Sequence, residues 1–347
     1  MSVHYFDYNK PFRLESGVLL NEYRLAYTTL GTLDATGSNV VWIFHALTAN
    51  SNPAEWWEGL VGPGKLLDPS QYFIVCVNMP GSAYGSTGPL DTNPLTGSPY
   101  YHDFPWFTTR DMIRAYDPLR RHLGIERIHI GIGGSMGGQQ LLEWAIEEPR
   151  LFEHIIPIAT NAFHSAWGIA FNASQRMAIE ADASWQQASP LAGLEGLKVA
   201  RSIALLSYRH YDAYGISQIE ESNELLEGFR SESYQRYQGE KLARRFNAFS
   251  YYFLTRAMDA HNVGRERASI EWALRQITAR TLVVGISNDV LFPVSEQQYL
   301  AATIPGARLK TIESFYGHDG FLLEYEQLSK AISTFLQPIQ EEADRNS

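Results

Sequence analysis

Short apolar runs recur along the first half of the chain and again near its end, and longer stretches with helical periodicity separate them. Such runs are typical of strands that are buried on both faces of a sheet. We predict strands at Val40–Phe44, Tyr72–Val77, Ile128–Ile132, Ile155–Ala159, Thr281–Ile286 and Arg308–Ile312. Because helical patterns lie between them, the sequence predicts an α/β fold with a mostly parallel central sheet and helices on both faces.

Two of the intervening patterns predict well-bounded helices. In Thr109–His122 the apolar side chains recur at helical spacing, and Thr108 ahead of it is a suitable N-cap residue. Met136–Glu147 has the same spacing and stops before Pro149, which cannot continue a helix interior. Each helix follows or precedes a predicted strand, as a parallel sheet with crossover helices requires.

The alternation of strands and helices stops between about Phe163 and Arg267. The sequence there is helical, and the next convincing strand begins only at Thr281. We predict a sheet-bearing core formed by residues 1–162 and 268–340, an inserted helical lid formed by residues 163–267, and a flexible tail at residues 341–347. A second independent domain is the alternative for the inserted segment. The lid is the better interpretation because the strand pattern resumes directly after it.

Composition and charge narrow the function classes. The 347-residue chain has a formal net charge of −10, and without a run of Lys and Arg this argues against nucleic-acid binding. No segment approaches the roughly 20 apolar residues of a membrane span, and Met1–Tyr8 lacks the features of a signal peptide, so we expect a cytoplasmic protein. The single cysteine, Cys76, lies in an apolar strand, where a core side chain is a better interpretation than a reactive thiol.

Gly133–Gly137 carries the pattern Gly-x-Ser-x-Gly between a predicted strand and a predicted helix. This is the context of a nucleophile elbow, in which glycines permit a tight turn and the serine projects above the sheet. A helix N-terminus at the serine also favours developing negative charge. The alternative is a purely structural turn, since glycine-rich turns between strands and helices are common. In this context we predict that Ser135 is a nucleophile.

A serine nucleophile needs a base and a group that orients the base. Asp289 follows the predicted strand Thr281–Ile286, and His318 follows the last predicted strand. The carboxyl ends of parallel strands meet at one edge of a sheet, so we expect both side chains to lie beside Ser135. The chain order of serine, acid and histidine is that of the α/β-hydrolase fold, which is the fold we predict.

Stabilisation of a tetrahedral intermediate needs two backbone N–H donors. The first is expected from Met136, directly after the nucleophile, and the second from the loop that begins at His45, with Leu47 as the donor. We predict no metal site, because the sequence has neither a His-Glu-x-x-His motif nor Cys and His residues at ligand spacing.

The ordered set of motifs resembles the homoserine O-acetyltransferases over nearly the whole chain. The segments that carry the resemblance are His45–Thr48, Gly85–Pro89, Asp103–Pro105, Arg110–Ala115, Gly133–Gln139, Glu143–Ala145, Ser233–Gly239 and Gly317–Asp319. The resemblance implies ping-pong transfer of an acetyl group from acetyl-CoA, as co-substrate and without a bound cofactor, to the hydroxyl of L-homoserine in methionine biosynthesis. It also implies a helical lid over a deep active site, and homodimers formed through that lid.

The resemblance further implies how the acceptor is held. Arg201 and Tyr208 match the family pair that binds the substrate carboxylate, and their spacing of about two turns lets both side chains share one helix face. Asp319 matches the acid that pairs with the substrate ammonium, and Thr48 is a further polar contact. The stretch Ser82–Tyr84 departs from the family pattern, which leaves the shape of that loop open.

Several alternatives remain open from the sequence. A homoserine O-succinyltransferase or a serine O-acetyltransferase would share the triad and differ in a few pocket residues. An α/β-hydrolase esterase would let water reach the acyl-enzyme, but it would not need the amino-acid-binding set of Arg201, Tyr208 and Asp319. A non-catalytic scaffold is the weakest alternative, because every member of the triad is present.

Overall fold

A central eight-stranded sheet organises the computed structural model, which describes residues 2–337; the predicted tail and residues 338–340 lie outside that range. The strands are β1 (His4–Tyr8), β2 (Phe12–Arg13), β3 (Leu19–Leu20), β4 (Tyr23–Leu30), β5 (Val40–Phe44), β6 (Phe73–Val77), β7 (Ile128–Gly134), β8 (Phe152–Ile158), β9 (Arg280–Ile286) and β10 (Arg308–Ile312). The sheet order is β1-β4-β6-β5-β7-β8-β9-β10, and β2 pairs with β3 in a separate ribbon. The α/β-hydrolase fold is thus confirmed.

The six predicted strands form the parallel part of the sheet. β6, β5, β7, β8, β9 and β10 pair in parallel in that order, and every residue of β5 is buried, as apolar strands with helices on both faces should be. Strand β8 begins at Phe152 rather than Ile155 and ends at Ile158, because Ala159 adopts a positive φ of 45°. The antiparallel strands β1 and β4 were not predicted.

Helices cover the sheet and fill the connections between strands. They are α1 (Pro53–Trp56), α2 (Thr109–His122), α3 (Met136–Glu147), α4 (Ala166–Glu180), α5 (Leu194–Tyr208), α6 (Tyr211–Ser217), α7 (Arg230–Ala243), α8 (Ala248–Asp259), α9 (Ile270–Leu274), α10 (Val294–Thr303), α11 (Gly320–Leu323) and α12 (Tyr325–Leu336). The limits predicted for α2 and α3 are confirmed. A capping box between Thr108 and Asp111 begins α2. Within residues 2–337, no helix has the length and apolar character needed to cross a bilayer.

Helices α4 to α8 lie between β8 and β9 in the chain, so the main sheet receives no strand from them. The chain leaves and rejoins the core at one place, where Phe163 and Asn262 form an isolated antiparallel bridge. Backbone hydrogen bonds flank this bridge, from Val263 N to Ala162 O and from His164 N to His261 O, each 2.9 Å long. The segment between these points therefore departs from the core through one closely paired stem.

Candidate active site

Ser135 lies at the tight turn between β7 and α3. Its backbone has φ 56° and ψ −125°, a conformation that costs a non-glycine residue free energy and persists where its surroundings enforce it. A side chain on Gly137 could not be accommodated, because its Cβ would lie 2.1 Å from the backbone oxygen of Phe44. Likewise, a Cβ on Gly133 would lie 2.6 Å from the carbonyl carbon of Gly137. The two glycines thus permit the approach of helix to strand that a nucleophile elbow requires.

His318 and Asp289 form a buried hydrogen-bonded pair. The distance from His318 Nδ1 to Asp289 Oδ2 is 2.6 Å, and both residues are buried. The other carboxylate oxygen, Oδ1, accepts hydrogen bonds from the backbone amides of Leu291 and Phe292, each 2.8 Å long. The carboxylate is thereby fixed from both sides, and its charge stabilises a protonated imidazole.

The environment of His318 fixes the ring and raises its basicity. The ring stacks on Phe292 with centroids 5.1 Å apart, and Phe321 and Tyr208 lie 5.2 and 5.8 Å away. Burial alone would lower the pKa of His318, but the charge and hydrogen bond of Asp289, together with the charge of Asp319, raise the pKa above its ordinary value of 6.5. A general base with a raised pKa accepts a proton more readily.

A second acid lies near Asp289 in a partly buried position. Burial raises the pKa of Glu296 to about 7; a 3.1 Å hydrogen bond from Asn161 Nδ2 opposes this shift, and the charge of Asp289 adds to it. Near neutral pH this carboxyl group is therefore partly protonated. It adds less negative charge around Asp289 than a fully ionised glutamate would. The sequence carried no signal for this arrangement.

The predicted oxyanion donors, Leu47 and Met136, are both buried residues next to the nucleophile. Neither amide donates a hydrogen bond to an acceptor within residues 2–337, which leaves both N–H groups available to a ligand. The neutral His45 ring holds the loop that contains Leu47. Its Nδ1 donates to Ala46 O at 2.8 Å, and its Nε2 accepts from Met79 N at 3.0 Å. Burial lowers the pKa of His45 to about 4, consistent with that uncharged tautomer.

A cavity of about 360 Å³ brings most of the predicted residues together. The predicted residues on its wall are Leu47, Thr48, Ser135, Arg201, Tyr208, His318 and Asp319. Asp289 connects to the wall through His318, and Met136 directly follows Ser135. Ser135, His318 and the predicted acceptor-binding groups thus share one partly open cavity of the size typical for small-molecule sites.

Three of the residues predicted to bind the acceptor, Arg201, Tyr208 and Asp319, lie on α5 and on the segment after β10. The Arg201 guanidinium carbon lies 5.4 Å from the centroid of the Tyr208 ring, so the predicted sharing of one helix face is present. Asp319 forms an ion pair that was not predicted, with its Oδ2 3.0 Å from Arg209 Nε. Burial raises the pKa of Asp319, although Arg209, Arg201 and His318 each oppose this shift. Arg201 has no carboxylate partner of this kind among residues 2–337.

The cavity wall also contains residues that the sequence did not single out: Asn50, Glu55, Trp56, Lys241, Arg245, Phe321 and Leu322. Arg245 Nη1 donates to the carbonyl oxygen of Thr48 and to the hydroxyl of Tyr84. Tyr84 belongs to the stretch that departs from the family pattern, and its hydroxyl helps to hold a cation at the cavity. Partners separated by more than a hundred residues along the chain leave no pattern in one sequence.

One group of potential metal ligands lies at the amino ends of β7 and β8, away from this cavity: His129, Glu153 and His154. His129 Nδ1 lies 2.8 Å from Glu153 Oε2. Both ring nitrogens of His154 already have protein partners, the backbone oxygen of His129 and the guanidinium of Arg280, each 3.2 Å away. The side chains thus satisfy one another as a hydrogen-bonded cluster and do not fit an open metal centre.

The sequence matches a family model and named relatives over most of its length. Residues 39–325 match a family model described as the alpha/beta hydrolase fold. The chain is 48% identical over 335 residues to the homoserine O-acetyltransferase of Cyclobacterium marinum, covering 96% of this chain and 95% of that protein. It is 43% identical to the homoserine O-acetyltransferase of Chlorobaculum tepidum, covering 96% of this chain and 94% of that protein.

Two solved structures are similar over almost their full length. The homoserine O-acetyltransferase from Bacillus anthracis superimposes with a TM-score of 0.91 at 26% identity, covering 97% of this chain and 98% of that one. An acetylester hydrolase from Corynebacterium glutamicum superimposes with a TM-score of 0.85 at 26% identity, covering 97% and 96%. The fold is therefore common to proteins named as a homoserine O-acetyltransferase and as an acetylester hydrolase.

Proposed function

The chain belongs to the homoserine O-acetyltransferase family of the α/β-hydrolase fold, and from this membership we propose how its residues move an acetyl group from acetyl-CoA to L-homoserine. The observation that carries the proposal is the single cavity whose wall contains Ser135, His318, Arg201 and Asp319. It combines an acyl-transfer nucleophile and base with one cation and one anion suited to a zwitterionic acceptor.

In the first half-reaction His318 Nε2 takes the proton from the hydroxyl of Ser135, whose oxygen attacks the thioester carbonyl. The negative charge on the carbonyl oxygen is stabilised by the amides of Leu47 and Met136, which have no acceptor in residues 2–337. The tetrahedral intermediate collapses to the acetyl ester of Ser135, and the CoA thiolate leaves with the proton from His318. Asp289 keeps the imidazole in the tautomer that this cycle needs.

In the second half-reaction the hydroxyl of homoserine gives its proton to His318 and attacks the acetyl ester. The tetrahedral intermediate uses the same two amides, and its collapse returns the oxygen and proton of Ser135. The product is O-acetyl-L-homoserine. Water could perform the same attack, so the enzyme must place the amino-acid hydroxyl at the acyl carbon more effectively than it places water.

Acceptor placement falls to groups at the wall of the cavity. Arg201, stacked on Tyr208 and free of a carboxylate partner in the described chain, binds the substrate carboxylate. Asp319 binds the substrate ammonium with the carboxylate face that its ion pair with Arg209 leaves open. Thr48 supplies a further polar contact at the oxyanion loop.

The helical segment 163–267 serves in this proposal as the lid and as the dimer surface. Its single stem at Phe163 and Asn262 supports the lid assignment, and the cavity-lining side chains of Arg201 and Tyr208 support assigning part of the acceptor site to it. Large apolar side chains are exposed on the same segment, among them Tyr211, Ile216, Ile219 and Leu226. Exposed apolar residues that cluster in one segment mark interaction surfaces.

The test is a comparison of donors and acceptors with purified enzyme. Acetyl-CoA and succinyl-CoA are each supplied with homoserine, with serine or with no amino acid, and CoA release and product are quantified. We expect acetyl transfer to homoserine to be the fastest of these reactions and to exceed CoA release without an amino acid by at least about tenfold, since a buried charged contact typically contributes more than this factor. CoA release that does not depend on homoserine would instead identify a hydrolase, the activity named for the similar Corynebacterium structure.

A further inference from the structure

Two cations at the C-terminal end of α7 stand out because the acyl-transfer chemistry does not use them. Lys241 lies in the last turn of α7, and backbone hydrogen bonds from Arg245 N and Phe246 N to Leu242 O, each 3.0 Å long, continue the helical turn beyond it. Residues four apart on such a turn lie on one face. Lys241 and Arg245 both line the active-site cavity, whereas Leu242 and Phe246 are buried and anchor this turn to the core. We call Lys241 and Arg245 the cationic rim.

Carboxylate partners do not neutralise the cationic rim within residues 2–337. The chain has a formal net charge of −10, and nearby on α5 Lys198 pairs with both Glu195 and Glu240. Lys241 is exposed, and neither it nor Arg245 forms an ion pair with a carboxylate in the part of the chain that the structure describes. Neutral oxygens of Thr48 and Tyr84 hold Arg245 in place.

The acids on the cavity wall do not neutralise the rim. Asp319 is paired with Arg209, and the single negative charge of Glu55 on this wall is outnumbered by the two cations of the rim. The mouth of the cavity therefore presents positive charge on a protein that is otherwise acidic. Such a patch attracts an anionic ligand and raises its local concentration.

We propose that the cationic rim binds the phosphate groups of the acyl-CoA donor, an inference that rests on the proposed function. The thioester must reach Ser135 inside the cavity, whereas strongly hydrated phosphates favour a position near solvent, and Lys241 is exposed. The ammonium of Lys241 and the remaining N–H groups of the Arg245 guanidinium are donors suited to phosphate oxygens. Arg201, stacked on Tyr208, remains assigned to the carboxylate of the acceptor.

The rim also connects the donor to the oxyanion loop. Arg245 holds the carbonyl oxygen of Thr48, the residue next to the predicted oxyanion donor Leu47. A phosphate on Arg245 would therefore immobilise a side chain that already supports this loop. For that reason Arg245 is a poor first choice for substitution, since its loss would disturb donor binding and the loop together. Lys241 offers the cleaner test.

The experiment compares acetyl-CoA with S-acetylpantetheine, which has the same thioester and pantetheine arm but no phosphates. Homoserine acetylation by the wild type, Lys241→Gln and Lys241→Glu is measured with both donors, and Lys330→Gln, an exposed lysine on α12, controls for net charge. We expect Lys241→Gln to raise the KM for acetyl-CoA about three- to fivefold, the scale of one solvent-exposed charge pair. Lys241→Glu should raise it further, and added salt should shrink both differences.

With S-acetylpantetheine the Lys241 variants should differ from the wild type by less than about twofold. An equal increase in KM with both donors would overturn the proposal, because Lys241 would then act on a shared feature or on the fold. If the wild type acetylated homoserine with neither donor, the proposed function would fail, and this inference with it. That outcome is distinct, because it concerns the unmodified enzyme.

Discussion

The carboxyl edge of the sheet and the helical segment 163–267 build their parts of the cavity in different ways. At the sheet edge, backbone geometry holds the functional groups: Ser135 has an enforced positive φ, and two backbone amides fix the carboxylate of Asp289. The helical segment contributes long cationic side chains, Arg201, Lys241 and Arg245, which act at a distance from their helices. We therefore expect acyl transfer to depend on rigid placement, and substrate selection to depend on side chains that can change without altering the core.

Two contacts join these regions across the cavity. Arg209, directly after α5, pairs with Asp319 beside His318, and Arg245 holds Thr48 on the loop after β5. Similar folds with different acceptors fit this division of labour. The acetylester hydrolase from Corynebacterium glutamicum shares the architecture with a TM-score of 0.85. The side chains that distinguish acceptors need only lie on the part of the cavity wall that the helical segment contributes.

The largest effect is expected from removing the nucleophile at the sheet edge. Ser135→Ala should abolish the acetyl adduct that forms when the protein is mixed with acetyl-CoA, and should reduce turnover at least about 10⁴-fold. Intact-protein mass spectrometry before addition of homoserine measures the adduct. If the Ser135→Ala protein gained the same mass, a different residue would be the nucleophile, and the sheet edge would lose its assigned role.

Removing the acceptor-binding cation tests whether selection can be separated from chemistry. Arg201→Ala should lower kcat/KM for homoserine by roughly thirtyfold to several-thousandfold, because a charged hydrogen bond that loses its partner costs about 2–5 kcal/mol. Acylation of Ser135 should survive, since that step needs only the donor, the triad and the two amides. Burst kinetics with acetyl-CoA measure acylation, and steady-state kinetics measure acceptor use.

The matched control is Arg236→Ala, an exposed arginine on α7 that pairs with Glu232 outside the cavity. It should leave both half-reactions near the wild-type rate. An Arg201→Ala enzyme that still acetylated homoserine efficiently would remove Arg201 from the acceptor site. One that failed to form the acyl-enzyme would show that the helical segment also takes part in the chemistry.

The sequence predicted the sheet edge better than its surroundings for a physical reason. Strand and helix patterns are local, so the limits of α2 and α3 could be read from apolar spacing, capping and Pro149. Ser135, Asp289 and His318 each follow a recognisable strand, and parallel topology places such residues at one edge. The local strand patterns and the parallel topology therefore both predicted that these three residues lie at one edge of the sheet.

The rest depended on pairs that are distant along the chain. No residue of the exposed strand β1 is fully buried, and the strand pairs antiparallel with β4. It therefore lacks the apolar run that marks the parallel strands. The contacts Arg209–Asp319 and Arg245–Thr48 join residues more than a hundred positions apart. One sequence offers many arginines and many acids, and only the folded chain selects which of them meet.

The next prediction is that the protein forms a homodimer through the outer surface of the helical segment. Ile216 and Ile219 are 68% and 65% exposed, and Leu226 is 93% exposed. Replacing Ile219 and Leu226 together with Asp should weaken self-association by at least about tenfold, because a charge in an apolar interface is costly. Sedimentation over a range of concentrations measures the change. The control is Leu95→Asp, at an 80% exposed position outside the helical segment. A wild type that sediments as a monomer would contradict the prediction.

The smallest expected effect concerns Asp319, which belongs to both regions because it adjoins His318 and pairs with Arg209. Its negative charge helps Asp289 to raise the pKa of His318 against the lowering effect of burial. The base must be neutral to accept the proton of Ser135, so acylation falls as the pH drops below this raised pKa. Asp319→Asn removes one of the charges that favour the imidazolium, so the pKa of His318 should fall and the acidic limb of the acylation rate should move to lower pH.

Pre-steady-state acylation by p-nitrophenyl acetate isolates this effect, since that donor needs no amino-acid acceptor. At pH values below the acidic limb of the wild type, each enzyme's acylation rate is expressed as a fraction of its own plateau rate. This fraction should be roughly two- to fivefold larger for Asp319→Asn than for the wild type. The effect is modest because Asp289 still dominates the pKa of His318. Asp212→Asn, at an exposed position on α6, should leave the limb in place. An unpaired Arg209 would lower the pKa of His318 as well, because a nearby positive charge disfavours the imidazolium. A limb that stayed in place or moved to higher pH in Asp319→Asn would therefore show that the negative charge of Asp319 does not support the base.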